Sequence, residues 1–69
     1  MSVYKMIEIV GTSSESWEKA AEEAMAMASK SLRDLRIAEV DKLDIQMEDG
    51  KIKSYRTKLK VSFKYHGGE

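Results

Sequence analysis

The segment IAEVDKLDIQMEDGKIKSYRTKLKVSFKY, residues 37–65, decides the fold. Two runs rich in β-branched and aromatic residues flank Asp49-Gly50, the dipeptide favoured at the centre of a two-residue type I′ hairpin. The segment therefore reads as two long antiparallel strands, residues 37–48 and 52–65. With Asp49 and Gly50 as the turn, residues facing each other sum to 99. One face then carries Met47/Ile52, Ile45/Ser54, Leu43/Arg56, Asp41/Lys58 and Glu39/Lys60. The other carries Asp44/Tyr55, Lys42/Thr57, Val40/Leu59, Ala38/Val61 and Arg36/Phe63. Opposite charges face each other at Asp41/Lys58 and Glu39/Lys60, which supports this register.

In that register the apolar pairs of the second face lie far from the turn. Met47, Ile52, Ile45 and Leu43 lie near it, on the opposite side. One helix cannot cover both groups, so part of the hairpin is expected to bury against a neighbouring subunit.

Upstream, residues 3–10 are rich in β-branched residues and end at Gly11, which reads as a strand followed by a turn. Thr12-Ser13-Ser14-Glu15 follows, and Thr12 with Glu15 fits a capping box. A helix is predicted from there to about residue 35. Its apolar face comprises Trp17, Ala20, Ala21, Ala24, Met27, Ala28, Leu32 and Leu35, spaced by three and four. Acids gather at its start and bases towards its end, as the helix dipole favours. The predicted order is strand, helix, strand, strand: an α+β domain spanning residues 1–69, with residues 66–69 as a frayed tail.

The 69 residues include no cysteine and one histidine, His66. Disulfides, thiolate metal sites and a multi-histidine site within one chain are thereby excluded. So short a chain builds a limited core, and oligomerisation is the remaining source of added stability. Lys plus Arg and Asp plus Glu number 12 each. The charge therefore points to neither nucleic acid nor an anionic membrane. No signal-peptide layout or membrane-length apolar run is present, and a cytoplasmic protein is expected.

The stretch Tyr4-Lys5-Met6-Ile7-Glu8-Ile9-Val10-Gly11-Thr12-Ser13 resembles the opening of the dodecin family, a strand leading into a Gly-Thr-Ser turn. The alanine-rich helix, Leu35-Arg36-Ile37-Ala38-Glu39-Val40, Tyr55-Arg56 and Val61-Ser62-Phe63 extend the resemblance over nearly the whole chain. The resemblance implies a three-stranded antiparallel sheet wrapped around one helix, with the chains assembling into a hollow homododecamer. It also implies paired flavins (FMN, riboflavin or FAD) near two-fold axes. A tryptophan at the start of the second strand stacks on the flavin, and a glutamine after the tyrosine of the third hydrogen-bonds it.

Ile37 stands at that tryptophan position and Arg56 at that glutamine position. Isoleucine has no ring face to stack, and arginine donates without accepting. Together with Ser16-Trp17-Glu18, they make the chain most similar to the calcium-associated branch of the family. The candidate ligand-binding residues are Ile37 and Arg56, from this correspondence, with Leu43 and Ile45 from the hairpin. The function implied is non-catalytic binding or storage of a small ligand, with ordinary flavin binding weak or absent. Its alternative is a structural shell held by calcium or another cation, without organic ligand. No metal ligand is assigned.

Other residues read more simply. Trp17 and Met27 read as core packing, and Met25 as either a contact to a neighbour or ligand or an exposed side chain. Asp41, Asp44, Glu48 and Asp49 read as solvated strand charges, although symmetry within a shell would bring such carboxylates from several chains together. For Arg56, a ligand anion and a neighbour's carboxylate are equally suitable partners. Thr12, Ser13 and Ser14 lack an adjacent general base and read as caps, and His66 as a tail residue. Nothing here assembles a catalytic site.

Overall fold

The computed structural model describes residues 1–65 and contains four elements in the predicted order. They are β1 (Tyr4–Ser13), α1 (Trp17–Ser31), β2 (Leu35–Glu48) and β3 (Lys51–Lys64). The strands form one antiparallel sheet in the order β1-β3-β2, so the last strand lies in the middle.

Alternation along β3 sets the core: Thr57, Leu59 and Val61 are buried on the helix side. Opposite them α1 buries Ala20, Ala24 and Ala28, one residue every four. Small side chains let the helix axis come close to the sheet, and Gly11 lets it come closer still. A Cβ on Gly11 would lie 2.0 Å from the Ala20 carbonyl oxygen and 2.9 Å from Ala24 Cβ. Gly11 is thus a packing glycine within β1 rather than the turn residue expected, and the strand continues through Thr12 and Ser13.

Because Thr12 is paired with Arg56 on β3, it does not cap the helix. Ser16 is the N-cap, and its hydroxyl oxygen accepts the Lys19 N–H at 3.0 Å. Ser13 Oγ accepts the Glu15 N–H at 3.0 Å, as one of the three hydroxyls predicted to cap. The helix also stops earlier than expected, at Ser31. Leu32 donates its N–H to the Ala28 carbonyl, and Asp34, with φ 57°, turns the chain into β2. The two mid-helix methionines exchange roles, because α1 leans on β1 and β3. Met25 packs against the core, whereas Met27 is 65% exposed.

The hairpin turn is as predicted, with left-handed φ at both Asp49 (53°) and Gly50 (73°). Near the turn Met47 faces Ile52, and far from it Ala38, Glu39 and Val40 face Val61, Lys60 and Leu59, as expected. Between these ends the register slips by one. Leu43 faces Thr57, Asp44 faces Arg56 and Ile45 faces Tyr55. Lys53 is the extra residue that opens the slip and Asp41 the one that closes it. A third irregularity, at Arg36, sets Leu35 rather than Arg36 against Phe63.

Since side chains alternate with period two, each bulge exchanges the faces of the strand beyond it. Leu43 and Ile45 therefore join Val40 on the helix side, and Leu43 lies in a cleft with Trp17, Ala21 and Thr57. The predicted split of apolar residues between two faces is corrected accordingly: they form one line on one face.

That line is still largely uncovered. At ~1.5 Å per residue the 15-residue helix is about 22 Å long. The 14-residue strands, at ~3.3 Å per residue, run about 46 Å. The helix packs on β1 and β3, and the β2 line stays open, with Val40 54%, Leu43 51% and Met47 57% exposed.

Candidate functional site

The sheet face turned away from the helix carries Ile37 and Arg56. Ile37 faces Ser62 and is 68% exposed. It lines an open depression with Tyr4, Met6 and Ser62, rimmed by Arg36, Glu39 and Lys60. Arg56 lies six residues before Ser62 on β3, about 20 Å away at ~3.3 Å per residue. Within one chain, then, Ile37 and Arg56 share a face without meeting, while Leu43 and Ile45 lie on the other face.

Arg56 is engaged inside its own chain. Its Nε donates to Asp44 Oδ1 at 2.7 Å and its Nη2 to Asp44 Oδ2 at 2.9 Å, a two-pronged contact across the slipped register. These hydrogen bonds hold the Asp44 carboxyl below its ordinary value of 3.8, and the carboxylate in turn raises the guanidinium. Asp44 also accepts, on its backbone carbonyl, the Trp17 indole N–H at 3.0 Å. The Trp17 ring meets Tyr55 edge to face, with centroids 5.2 Å apart, and the buried Thr57 hydroxyl donates to the Trp17 carbonyl at 2.8 Å. Trp17 is therefore packed, and Asp44 is the point where helix start and hairpin join.

The pairing of Asp44 with Arg56 escaped the sequence reading because the unbulged register set Asp44 opposite Tyr55. A one-residue slip offers an opposite-charge pair of its own, Asp44/Arg56, and that was the available signal.

Further along the face, Lys58 Nζ lies 3.6 Å from Glu8 and 3.7 Å from Asp41, so the bulged Asp41 keeps the lysine partner expected of it. Lys53 Nζ lies 3.6 Å from Glu48. Three of the four hairpin acids named in the sequence, Asp41, Asp44 and Glu48, thus already face a cation. Among the described residues no three acidic or histidine side chains gather as a metal site requires, whereas calcium takes six to eight oxygens. The described residues of one chain do not by themselves fit a calcium ion. Nor do Ile37 and the engaged Arg56 reproduce a stacking and hydrogen-bonding flavin site. His66 lies outside the described residues, and no helix among them is long and apolar enough to cross a membrane.

Comparison with known proteins gives one answer. The dodecin family model matches residues 3–66. A curated relative, calcium dodecin of Mycobacterium tuberculosis, is 54% identical over 65 residues, covering 93% of this chain and 90% of its own length. Dodecin of Thermus thermophilus is 40% identical, with 90% of each chain covered. The crystal structure of the calcium-chelating immunodominant antigen calcium dodecin from M. tuberculosis superposes with a TM-score of 0.86. It is 49% identical, over 99% of this chain and 97% of that one.

Proposed function

The chain belongs to the dodecin family, and from that premise we propose that it is a non-catalytic binding subunit of a closed, hollow homododecamer. Its bound species is a cation, calcium by preference, held at subunit junctions, and stacked flavin is not its ligand. The observation that carries the ligand choice is the state of the two positions a flavin would use. Ile37 offers no ring, and Arg56 spends its planar fork on Asp44 at 2.7 and 2.9 Å. The similarity to a protein named calcium dodecin supports the cation. Since one chain gathers no metal cluster among its described residues, the ion would take carboxylates from several subunits.

The open β2 line supports the assembly. Val40, Leu43, Ile45, Met47 and Ile52 form a continuous apolar edge beside the helix, each between 39% and 57% exposed. A domain with a small core gains most by burying such a surface against another copy. A cytoplasmic location, with neither nucleic acid nor membrane as partner, fits the balanced charge.

A second reading, storage of a small organic ligand, has one observation in its favour: the depression formed by Tyr4, Met6, Ile37 and Ser62. In that reading Ile37 and Arg56 contribute from different subunits.

The test is to titrate the purified particle, sized by light scattering, with flavin while following flavin fluorescence, first with calcium and then with a chelator. The expected result is a mass near twelve times 7.8 kDa, no saturable quenching, and a particle that loosens on chelation. Saturable quenching would move the conclusion to storage, and a monomer would overturn the shell.

A further inference from the structure

We propose that Asp44 determines ligand charge at the Arg56 position, by occupying the arginine fork and so keeping phosphate- and carboxylate-bearing ligands out. The inference rests on the reading of Arg56 as facing a ligand, and it deepens that reading by naming what the position refuses.

Three cationic side chains are adjacent on this face. Lys42 and Lys58 face each other directly, and Asp44 and Arg56 form the next pair on the same side of the sheet, two residues along each strand. Guanidinium and ammonium groups so close together would form an anion site, since a planar fork beside point charges suits phosphate. Lys58 and Arg56 are matched by acids instead. Glu8 and Asp41 flank Lys58, and Asp44 takes the Nε–Nη2 edge of Arg56 with both carboxylate oxygens. The Asp44 contact has the best geometry of the three, at 2.7 and 2.9 Å against 3.6 and 3.7 Å. Its backbone is fixed as well, by the Trp17 indole N–H on its carbonyl. Asp44 is therefore held over Arg56 from two directions, and an incoming anion would have to displace a carboxylate that cannot diffuse away.

The pair arises from the hairpin bulges. In the unbulged register Arg56 would face Leu43 and its donors would point at solvent. The one-residue slip between Lys53 and Asp41 brings Asp44 opposite it. The Lys53 and Asp41 bulges thus set the charge preference of a position that neither of them occupies.

The experiment uses the intact particle and inorganic pyrophosphate as probe, followed by phosphorus NMR line broadening. Wild type, Asp44→Ala, Asp44→Asn, and Asp44→Ala with Arg56→Gln are compared at low salt. Asp44→Ala should bind pyrophosphate roughly tenfold or more tighter than wild type, the scale of one charge-assisted contact. Asp44→Asn keeps the side-chain size and one acceptor and should give a smaller gain. The double variant should return to the wild-type level, and added salt should erase the gain.

A gain that survives Arg56→Gln, or a wild type that binds as tightly as Asp44→Ala, overturns the proposal. So does an unchanged affinity in Asp44→Ala or, should that variant unfold, in Asp44→Asn. The pair lies within one chain. A wild type that proves monomeric therefore refutes the shell while leaving this comparison decisive.

Discussion

The helix-covered half of the sheet and the β2 edge are built by different means. Where α1 lies on β1 and β3, contact is tight enough that alanines and a glycine are the residues that fit, and Leu59 and Val61 are 2% and 0% exposed. Along β2 every residue except Leu35 is exposed, and the strand is held by its pairing to β3 and by ion pairs at Asp41, Asp44 and Glu48. The covered half carries the stability of the single chain. The β2 edge contributes little until another surface covers it, and in the proposed shell that surface is a neighbouring subunit. Substitutions in the two regions should therefore fail in different ways.

The sharpest contrast is at Gly11. An added methyl group would overlap a backbone oxygen, which cannot rotate away as a side chain can. Gly11→Ala should cost on the order of 3 kcal/mol or more, comparable with all that a core this small supplies. Loss of the thermal transition by circular dichroism is the expected result, and a stable, folded variant would show that helix and strand do not pack so closely.

Leu43→Glu is the counterpart on the open edge. Its side chain is half exposed in the single chain, so the fold should survive with its far-ultraviolet spectrum unchanged while light scattering shows the particle dissociated. An intact particle would mean that some other surface joins the subunits.

The helix and the turn were legible in the sequence because their signals are local: alanine spacing for one, Asp49-Gly50 for the other. The register beside the turn was legible for the same reason, and around Val40 it agrees because the bulge at Asp41 cancels the one at Lys53. The slipped middle was not, since a bulge preserves alternation on either side of itself and leaves no mark at Asp41 or Lys53. That single omission placed Leu43 and Ile45 on the wrong face and hid the Asp44–Arg56 pair. Gly11 was misread because a glycine before a run of hydroxyl residues suits a turn as well as a close contact. Only the folded chain distinguishes the two. For the candidate site, Ile37 and Arg56 were placed by resemblance, and the residue that answers Arg56 came from the structure.

A subtler probe sits at the seam between the two regions, where the buried Thr57 hydroxyl donates to the Trp17 carbonyl at 2.8 Å. Thr57→Val keeps the shape and deletes the donor, which should cost about 1–2 kcal/mol. In chemical denaturation this would appear as a lower midpoint with an unchanged slope. A neutral result would show that the helix start is held by packing, through Trp17 and Tyr55, and not by this bond.

The smallest effect expected is a pH dependence confined to the β2 edge. Hydrogen bonds from Arg56 lower the folded Asp44 pKa below 3.8, so the folded state favours the ionised carboxyl more than the unfolded chain does. Its contribution is then present at pH well above 3.8 and is lost progressively as pH falls past 3.8 and through the lowered folded value. The pair is exposed and screened, so the loss should be slight in overall stability. It should be visible locally, because Asp44 also receives the Trp17 indole N–H. Trp17 fluorescence should titrate below pH 3.8 in wild type and lose that step in Asp44→Asn, while the buried line of Ala24, Leu59 and Val61 stays folded. If the step persists in Asp44→Asn, other carboxylates govern the acid response of the edge. If the core melts in the same step, the two halves of the sheet are less separable than their packing implies.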